Sequence, residues 1–600
     1  MAGDILLGLG AILALGVASQ WFAWRVRLPS ILVLLVAGFL AGSVTGWLDP
    51  DALFGDLLFP GVAVAVGIIL FEGGLSLSLK EIRGHGPAVT RLITVGALVA
   101  WLAGAAAAHL LAGLSWPIAL LVGAILVVTG PTVVGPLLRH VRPRGPVGAV
   151  VKWEGILIDP VGALLAVIVF KATFAASLAE VTGLVGTGVV RSVATGVFMG
   201  ALGAGALYVM LSRRWLPDHL ESPIVLSSVV AVFVASDLLA SESGLLATTL
   251  MGVALANQSR VHVHRIVEFK ENLRVLLIAV LFIALAARVR LEDLAAVGVG
   301  GILFVTALLF VVRPASVLAS TVGTSLAWRE RAFVAWLAPR GIVAAAVASI
   351  FALRLEAAGH PEAGRLVPLV FTAIVATVAV YGLTSGPVAR ALGLSGPRPQ
   401  GALVVGAGSF ARAFASALRA EGHGVLLVDT NLKNVEAARA AGLDATPSDA
   451  LAETFREDLD RDDLGRLAAM TPNDEVNSLA SLAYAGRFGR NEVYQTATAA
   501  MAREGAATSA VGHLHGRVLF GDEETLASLE ARLDAGDRVH TAVVAPDGTV
   551  AARAGPSGKA PTPLFVTDEG RLVLATAADD AALKPGSRLT YLGGEAEKPT

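Results

Sequence analysis

The spacing of apolar and polar positions divides the chain in two. Up to about residue 390, apolar runs recur thirteen times, most of them reaching the ~18 residues that span a bilayer as helix; the ninth and tenth are shorter, which leaves twelve as the alternative. They lie at roughly 5–24, 29–48, 58–79, 90–112, 116–138, 151–173, 183–211, 222–241, 244–258, 272–288, 295–312, 331–352 and 365–386. Beyond residue 400 the apolar runs shrink to strand length and alternate with amphipathic stretches. The pattern predicts a multi-pass α-helical membrane domain at 1–392, an α/β Rossmann-like domain at 400–530 and a small β-rich module at 536–593. The first apolar run is not a cleaved signal peptide by its flanks, because Asp4 precedes it and Arg25 and Arg27 follow.

Composition sharpens the division. Of the 600 residues 55% are hydrophobic and 16% charged, against about 25% charged in soluble domains. There are 26 Lys/Arg and 20 Asp/Glu before residue 396, and 20 and 28 after it. A net charge of -2 excludes a basic nucleic-acid binder, and the absence of cysteine excludes disulfide scaffolds and thiol nucleophiles. Lys and Arg in alternate loops divide eighteen to six. The richer set, which includes Arg25, Lys80, Lys152, Arg274, Arg313 and Arg329, marks the cytoplasmic side. The N-terminus is then outside and the C-terminal domain cytoplasmic, with the chain in the inner (plasma) membrane.

Charges at membrane depth cost free energy and mark ion pathways. Four residues qualify: Glu72, Glu154, Asp159 and Arg340. Helix rise places Asp159 and Arg340 roughly 12–14 Å into their segments, near mid-membrane. Two segments are also interrupted at similar depth, one at Thr129-Gly130-Pro131, the other at Pro339-Arg340-Gly341. A matched pair of broken helices in two inverted halves points to a secondary-transporter site. Asp159, flanked by Ile158 and Pro160, has no aqueous reason to be charged there. Glu154 and Arg340 read as a buried ion pair. Asp237 and Glu242 read as a solvated helix end, and Thr321-Val322-Gly323-Thr324 as a linker rather than a channel filter.

These motifs resemble those of NhaP-type sodium/proton antiporters of the monovalent cation/proton antiporter superfamily. The similar stretches are Phe71-Glu72-Gly73-Gly74, Thr129-Gly130-Pro131-Thr132, Trp153-Glu154-Gly155-Ile156-Leu157-Ile158-Asp159-Pro160 and Pro339-Arg340-Gly341. The resemblance implies thirteen helices forming a dimerisation domain and a moving core, and hence a homodimer in the bilayer. It implies that Asp159 binds Na⁺ or K⁺ and H⁺, that Thr129 supplies oxygen ligands, and that Glu72 lies on the ion site or its approach. It also implies the Glu154–Arg340 pair. Three positions depart from the family pattern: Gly130 for an acidic residue, Gly155 for a serine, and Ile158 for the asparagine before the aspartate. One carboxylate that must be neutralised before crossing enforces exchange, and a single such group implies one proton per cation, which is electroneutral.

The tail opens with a strand at Ala402-Leu403-Val404-Val405, a turn Gly406-Ala407-Gly408-Ser409-Phe410-Ala411, a helix, and a second strand ending at Asp429. This is a dinucleotide-binding fingerprint: Gly406, Gly408 and Ala411 shape the turn and Asp429 meets the ribose. It resembles the TrkA-N (RCK) domain, which implies NAD(H), ATP, ADP or AMP as a regulatory ligand; the last module resembles a degenerate TrkA-C domain. No catalytic cofactor is expected. His513 and His515 read as surface residues rather than a metal site, and no metal is expected beyond the transported cation. The expectation is a non-enzymatic cation/proton antiporter with a nucleotide sensor. The alternatives are a nucleotide-gated cation channel, which needs a filter, and a membrane-anchored NAD-dependent oxidoreductase, which needs a catalytic base beside the turn.

Overall fold

The computed structural model describes the chain except residues 1, 27, 83, 142, 144, 175–177, 218, 259–263, 291, 293–296, 395–398, 453–454, 457–458, 460, 462, 505–515, 548, 577–583 and 596–600. Side chains at 2–5, 131, 139–140, 178–185, 264–271 and 503–504 are also outside the description. His513, His515, the linker positions 395–398 and the loop cations Arg27, Arg83, Arg142, Arg144 and Arg260 therefore lie outside the described residues. The chain forms two units, Met1–Ser395 and Gly396–Thr600.

In the first unit every apolar segment of the sequence is helical. Among the described residues eight helices are long and apolar enough to cross a membrane, and four shorter apolar ones accompany them. The helices that build the site are α1 (Leu58–Leu75), α2 (Trp116–Ile125), α3 (Pro131–Val141), α4 (Val147–Thr173), α5 (His264–Ala287), α6 (Arg313–Thr321), α7 (Trp328–Trp336), α8 (Ile342–Ala357) and α9 (Ala363–Ala391). Segment five is split into α2 and α3 by the non-helical residues 126–130, and segment twelve into α7 and α8 by residues 337–341. The first break is local chemistry. Pro131 disfavours helical backbone at the residue before it and has the fixed φ suited to the start of the next helix. α4 runs unbroken through Pro160, and Asp159 falls near its middle. Outward-facing Leu, Val, Trp and Phe are abundant, among them Leu6, Trp24, Phe198 and Phe310, as a lipid-exposed surface requires.

The second unit begins with a six-stranded parallel sheet of β1 (Gly401–Val405), β2 (Val425–Asp429), β3 (Ala445–Pro447), β4 (Leu464–Ala469), β5 (Val493–Thr496) and β6 (Arg517–Leu519) in the order β3-β2-β1-β4-β5-β6. This is the doubly wound dinucleotide-binding topology, with its switch point between β1 and β4. Helix α10 (Ser409–Ala420) connects β1 to β2. After helix α11 (Leu526–Asp534) comes an antiparallel sheet of β7 (Arg538–Val543), β8 (Thr562–Asp568), β9 (Arg571–Leu574) and β10 (Arg588–Gly593), ordered β7-β10-β8-β9. The two sheets share one core. Phe414 of α10 packs edge-on against Phe565 of β8 with ring centroids 5.9 Å apart. Buried Arg532 of α11 donates to Asp537 (2.8 Å) and to the carbonyls of Ala560 (2.9 Å) and Leu592 (3.2 Å), pinning the second sheet to the helix.

Candidate ion site and nucleotide turn

The two breaks cross at a pair of glycines. A Cβ added to Gly130 would lie 2.6 Å from the Cα of Gly341, and the reverse contact is also 2.6 Å. Only two residues without side chains allow the backbones this close. α4 lies against the same place. A Cβ on Gly155 would sit 3.5 Å from the Thr129 carbonyl oxygen, and one on Gly162 would strike Val128. Gly155, Asp159 and Gly162 stand at i, i+4 and i+7 and so share a helix face. Asp159 is thus placed between two close approaches, on the face turned to the first break. It is 0% exposed, and neither carboxylate oxygen has a hydrogen-bond partner among the described residues. A buried carboxylate in that state is unusual enough to demand a function. Thr129 is buried at the same break.

The charges around it are arranged differently from the sequence expectation in one respect. Glu154 is not paired with Arg340. It is held by Arg313 of α6, with Nη1 2.5 Å from Oε1 and Nη2 2.9 Å from Oε2. Arg313 also donates to the carbonyls of Val334 (3.0 Å) and Leu337 (3.2 Å). Arg340 instead reaches across the crossing, and its Nη1 donates to the carbonyls of Val127 (2.9 Å) and Val128 (3.1 Å). Its backbone N–H donates to Thr377 Oγ1 of α9 at 3.1 Å. The reason is common to both arginines. A helix broken in apolar surroundings leaves its last carbonyls without donors and carries partial negative charge there. Arg340 satisfies the end of α2, and Arg313 the end of α7. Sequence reading missed Arg313, assigning it to a loop; the adjacent buried hydroxyls Ser316, Ser320 and Thr321 are the signal that the helix continues inward.

Glu72, also buried, is paired with Arg274 of α5 at 3.0 Å. Arg274 too was assigned to a loop. At the C-terminal end of the helix Glu221–Leu239, the Asp237 carboxylate accepts the backbone N–H of Glu242 at 2.7 Å.

In the second unit the fingerprint turn forms as expected. Gly406 has φ +105, accessible without strain to glycine, and a Cβ there would strike the Met470 carbonyl. Ala411 is wholly buried where α10 meets the sheet. Asp429 is tied into the turn: Oδ2 accepts the Ala407 N–H (2.8 Å) and the Asn434 side-chain amide (3.0 Å), and Oδ1 accepts the Asn431 N–H (2.8 Å). One residue there was not anticipated. Glu530 of α11 places its Oε1 2.7 Å from where a Cβ on Gly408 would lie and accepts the Ser409 hydroxyl at 3.1 Å. An anion from the chain itself thus stands at the N-terminus of α10, where this fold seats phosphate.

The family model for the transmembrane sodium/hydrogen exchanger matches residues 10–391. The chain belongs to this family. A TrkA-N domain model matches residues 402–508 of the exchanger. Among curated relatives, the K(+)/H(+) antiporter NhaP of Alkalimonas amylolytica is 28% identical over 412 residues, 66% of this chain and 68% of that one. A K(+)/H(+) antiporter of Shewanella sp. (strain ANA-3) is 29% identical over 399 residues, 64% of this chain and 66% of that one. The exchanger therefore spans about two thirds of the length of these relatives. The solved sodium proton antiporter of Methanocaldococcus jannaschii at pH 8 superposes with a TM-score of 0.57 at 21% identity, covering 65% of this chain and 99% of that one. That likeness establishes a shared fold for the membrane unit.

Proposed function

We propose that this exchanger moves a monovalent cation, Na⁺ or K⁺, in one direction and H⁺ in the other, with Asp159 as the group both occupy. The observation that carries the reading is a carboxylate wholly out of water, without a hydrogen-bond partner, on the helix face turned to the crossing of two broken helices. An ordinary aspartic carboxyl titrates at ~3.9 in water, and a dry environment penalises the charged form of any carboxyl. A bare anion here is therefore the disfavoured state, and a proton or a cation relieves it. Because either load neutralises the same group, only loaded forms cross readily, and exchange follows by alternating access. One carboxylate gives one H⁺ per cation and no net charge movement.

Thr129 offers its carbonyl on the side facing α4. Glu72, engaged by Arg274, belongs to the approach rather than to the first contact with the ion. Glu154 and Arg340 act through the half-helix ends rather than on the ion. The tail faces the cytoplasm and binds an adenine nucleotide, NAD(H), ATP, ADP or AMP, at Gly406, Gly408, Ala411 and Asp429. The nucleotide regulates exchange by favouring one conformation of the transporter. The functional particle is a homodimer in the inner membrane, and the chain is not an enzyme. The K(+)/H(+) names of the relatives favour K⁺ as the physiological cation.

The test is proton flux in proteoliposomes driven by Na⁺, K⁺ or Li⁺. Asp159→Asn keeps the volume and removes the exchangeable charge, so cation-driven flux is expected to vanish while the purified protein remains monodisperse. Cation-dependent proton flux through the variant at wild-type rate overturns the assignment.

A further inference from the structure

The described ion site is short of side-chain oxygens. Position 130, where the two breaks meet, is glycine, and so is position 155, one turn before Asp159. Of the carbonyls exposed by the first break, those of Val127 and Val128 are taken by Arg340, and that of Gly130 accepts the backbone N–H groups of Val133 and Val134, each at 3.1 Å. The Thr129 carbonyl is engaged by none of these donors and faces Gly155. A carboxylate and one carbonyl make a thin shell for a cation that has shed its water.

A second unsatisfied group lies at the same place. Thr132, in the first turn of α3, is 5% exposed, and its Oγ1 is buried without a hydrogen-bond partner among the described residues. That oxygen would be 3.3 Å from a Cβ on Gly130 and 3.6 Å from a Cβ on Gly341, so it stands at the glycine crossing itself. A threonine inside a helix ordinarily returns its hydroxyl to the carbonyl three or four residues earlier. For Thr132 those are Thr129 and Val128, of which the second is occupied by Arg340. Thr248, Thr249, Thr321 and Thr384 in other helices of this unit do make such bonds. Thr132 does not, although the break leaves a carbonyl within its reach in sequence. A hydroxyl kept dry and unpaired at the crossing toward which the helix face of an unpaired carboxylate is turned is what an incomplete coordination shell looks like, and a cation held there would satisfy both.

We propose that the Thr132 hydroxyl is a cation ligand of the exchange site and sets its affinity, supplying the side-chain oxygen that Gly130 and Gly155 do not. The proposal rests on the reading that Asp159 carries the cation. A protonated Asp159 needs no such oxygen, so Thr132 acts on the cation-loaded form and not on the proton-loaded one. Its loss raises the cation concentration needed for exchange while leaving the rate at saturation near wild type.

The experiment compares full-length Thr132→Val, Thr132→Ser and Asp159→Asn in proteoliposomes, reading proton flux against Na⁺ and K⁺ concentration. Thr132→Val is expected to raise the apparent KM for the preferred cation at least about tenfold with the maximal rate kept within about twofold. Thr132→Ser is expected to stay within about twofold in both. Cation-induced thermal stabilisation of the detergent-solubilised protein is expected to weaken in parallel in Thr132→Val, a readout that a packing role would not move. An unchanged KM and unchanged cation stabilisation in Thr132→Val overturn the proposal, as does an equal KM rise in Thr132→Ser. Should Thr132→Val not reach the membrane, Thr132→Ala carries the same comparison. Persistent flux in Asp159→Asn instead breaks the underlying reading and is distinguishable, because it appears in a different variant.

Discussion

Breaking the buried Glu154–Arg313 pair tests which arginine the core depends on. The two side chains are 5% and 6% exposed and meet through two parallel hydrogen bonds. Removing one partner of such a pair strands the other charge at ~3–5 kcal/mol, whereas replacing both by apolar groups is often near neutral. Glu154→Gln leaves the Arg313 cation without its anion. Arg313→Met leaves the Glu154 anion and also takes a donor from the carbonyls of Val334 and Leu337; Val334 keeps the Leu337 N–H at 3.3 Å, so the added cost is ~1–3 kcal/mol for the Leu337 carbonyl. Arg313→Met is therefore the more damaging single change. The double variant is expected to lose much less than the sum of the two. Taking ~2.1 cal/mol/K of unfolding entropy per residue over the 395 residues of the unit, ~3–5 kcal/mol corresponds to roughly 4–6 °C in melting midpoint. Thermal melts of purified protein, followed by size-exclusion fluorescence, read this directly. The matched cycle uses Glu154→Gln with Arg340→Met, two groups that share no hydrogen bond, and is expected to show a coupling well below that of the 154–313 cycle. Additive losses at 154 and 313, or strong coupling of 154 to 340, would falsify the pairing and the half-helix account built on it.

Three further outcomes follow from particular contacts. Gly130→Ala and Gly341→Ala each force a Cβ to within 2.6 Å of the facing Cα, so both are expected to abolish exchange and lower the melting midpoint, at ~1–3 kcal/mol for overpacking; Gly135→Ala, with nothing within 4 Å, serves as the silent control in the same flux assay. Glu530→Gln removes the carboxylate beside Gly408 and Ser409, and two like charges a few ångströms apart repel by ~4 kcal/mol at partly shielded sites; titration calorimetry with ATP, ADP, AMP and NADH is expected to show at least about tenfold tighter binding, and unchanged affinity dismisses Glu530 as the competitor. His423 accepts or donates one hydrogen bond with Thr567 at 3.2 Å, and burial, then the nearby Arg466, hold its imidazole below the usual 6.5; the unfolded chain thus binds the proton more readily, stability of the second unit is full above about pH 6.5 and is lost as pH falls toward the depressed value. Hydrogen exchange across β2 and β8 in the full chain is expected to speed up between pH 7.5 and 5.5 beyond the intrinsic pH effect, and to do so less in His423→Gln.

Much of this was legible along the chain because the bilayer is a strict solvent. Apolar length located most of the membrane helices, and a charge at mid-segment singled out Asp159. Both helix interruptions were visible as Gly-Pro and Pro-Arg-Gly. What sequence order hid was partnership. Arg313 and Arg274 each stand near the edge of an apolar run and were assigned to loops, yet one is bound to Glu154 and the other to Glu72. Hydropathy scores a guanidinium by its cost in hydrocarbon and is blind to a carboxylate waiting inside. The Glu154–Arg340 expectation failed for the same reason: two charges at similar depth were matched, while Arg340 was already committed to the carbonyls of Val127 and Val128. Glu530 lay beyond any local pattern, since it meets Ser409 from 121 positions away.

The charge balance of the core gives these separate contacts one consequence. Glu154 cancels Arg313 and Arg274 answers Glu72, so among the described residues two buried charged groups remain: Arg340, which faces helix-end carbonyls rather than a carboxylate, and Asp159, whose carboxylate oxygens have no hydrogen-bond partner there. Carbonyl dipoles compensate Arg340 in place, fixed by the break that created them. Asp159 has no such arrangement, and its compensation must arrive from outside. With Asp159 loaded in turn by H⁺ and a monovalent cation, as proposed, the core would carry the same net charge in either loaded form, and the membrane potential would have no purchase on the choice between them. A charged residue introduced beside Asp159 changes that balance. Ile158→Asp adds a second carboxylate at the mid-depth of α4, next to one that already lacks a partner. With two protons loaded on one leg and a single cation shared by both carboxylates on the other, the two legs differ by one charge, and exchange is expected to become sensitive to an imposed valinomycin–K⁺ potential, measured with Na⁺ as the driving ion. Wild-type flux is expected to be indifferent to the same potential. Voltage-dependent flux in the wild type would show that charge moves with each cycle and that Asp159 is not the only group being loaded.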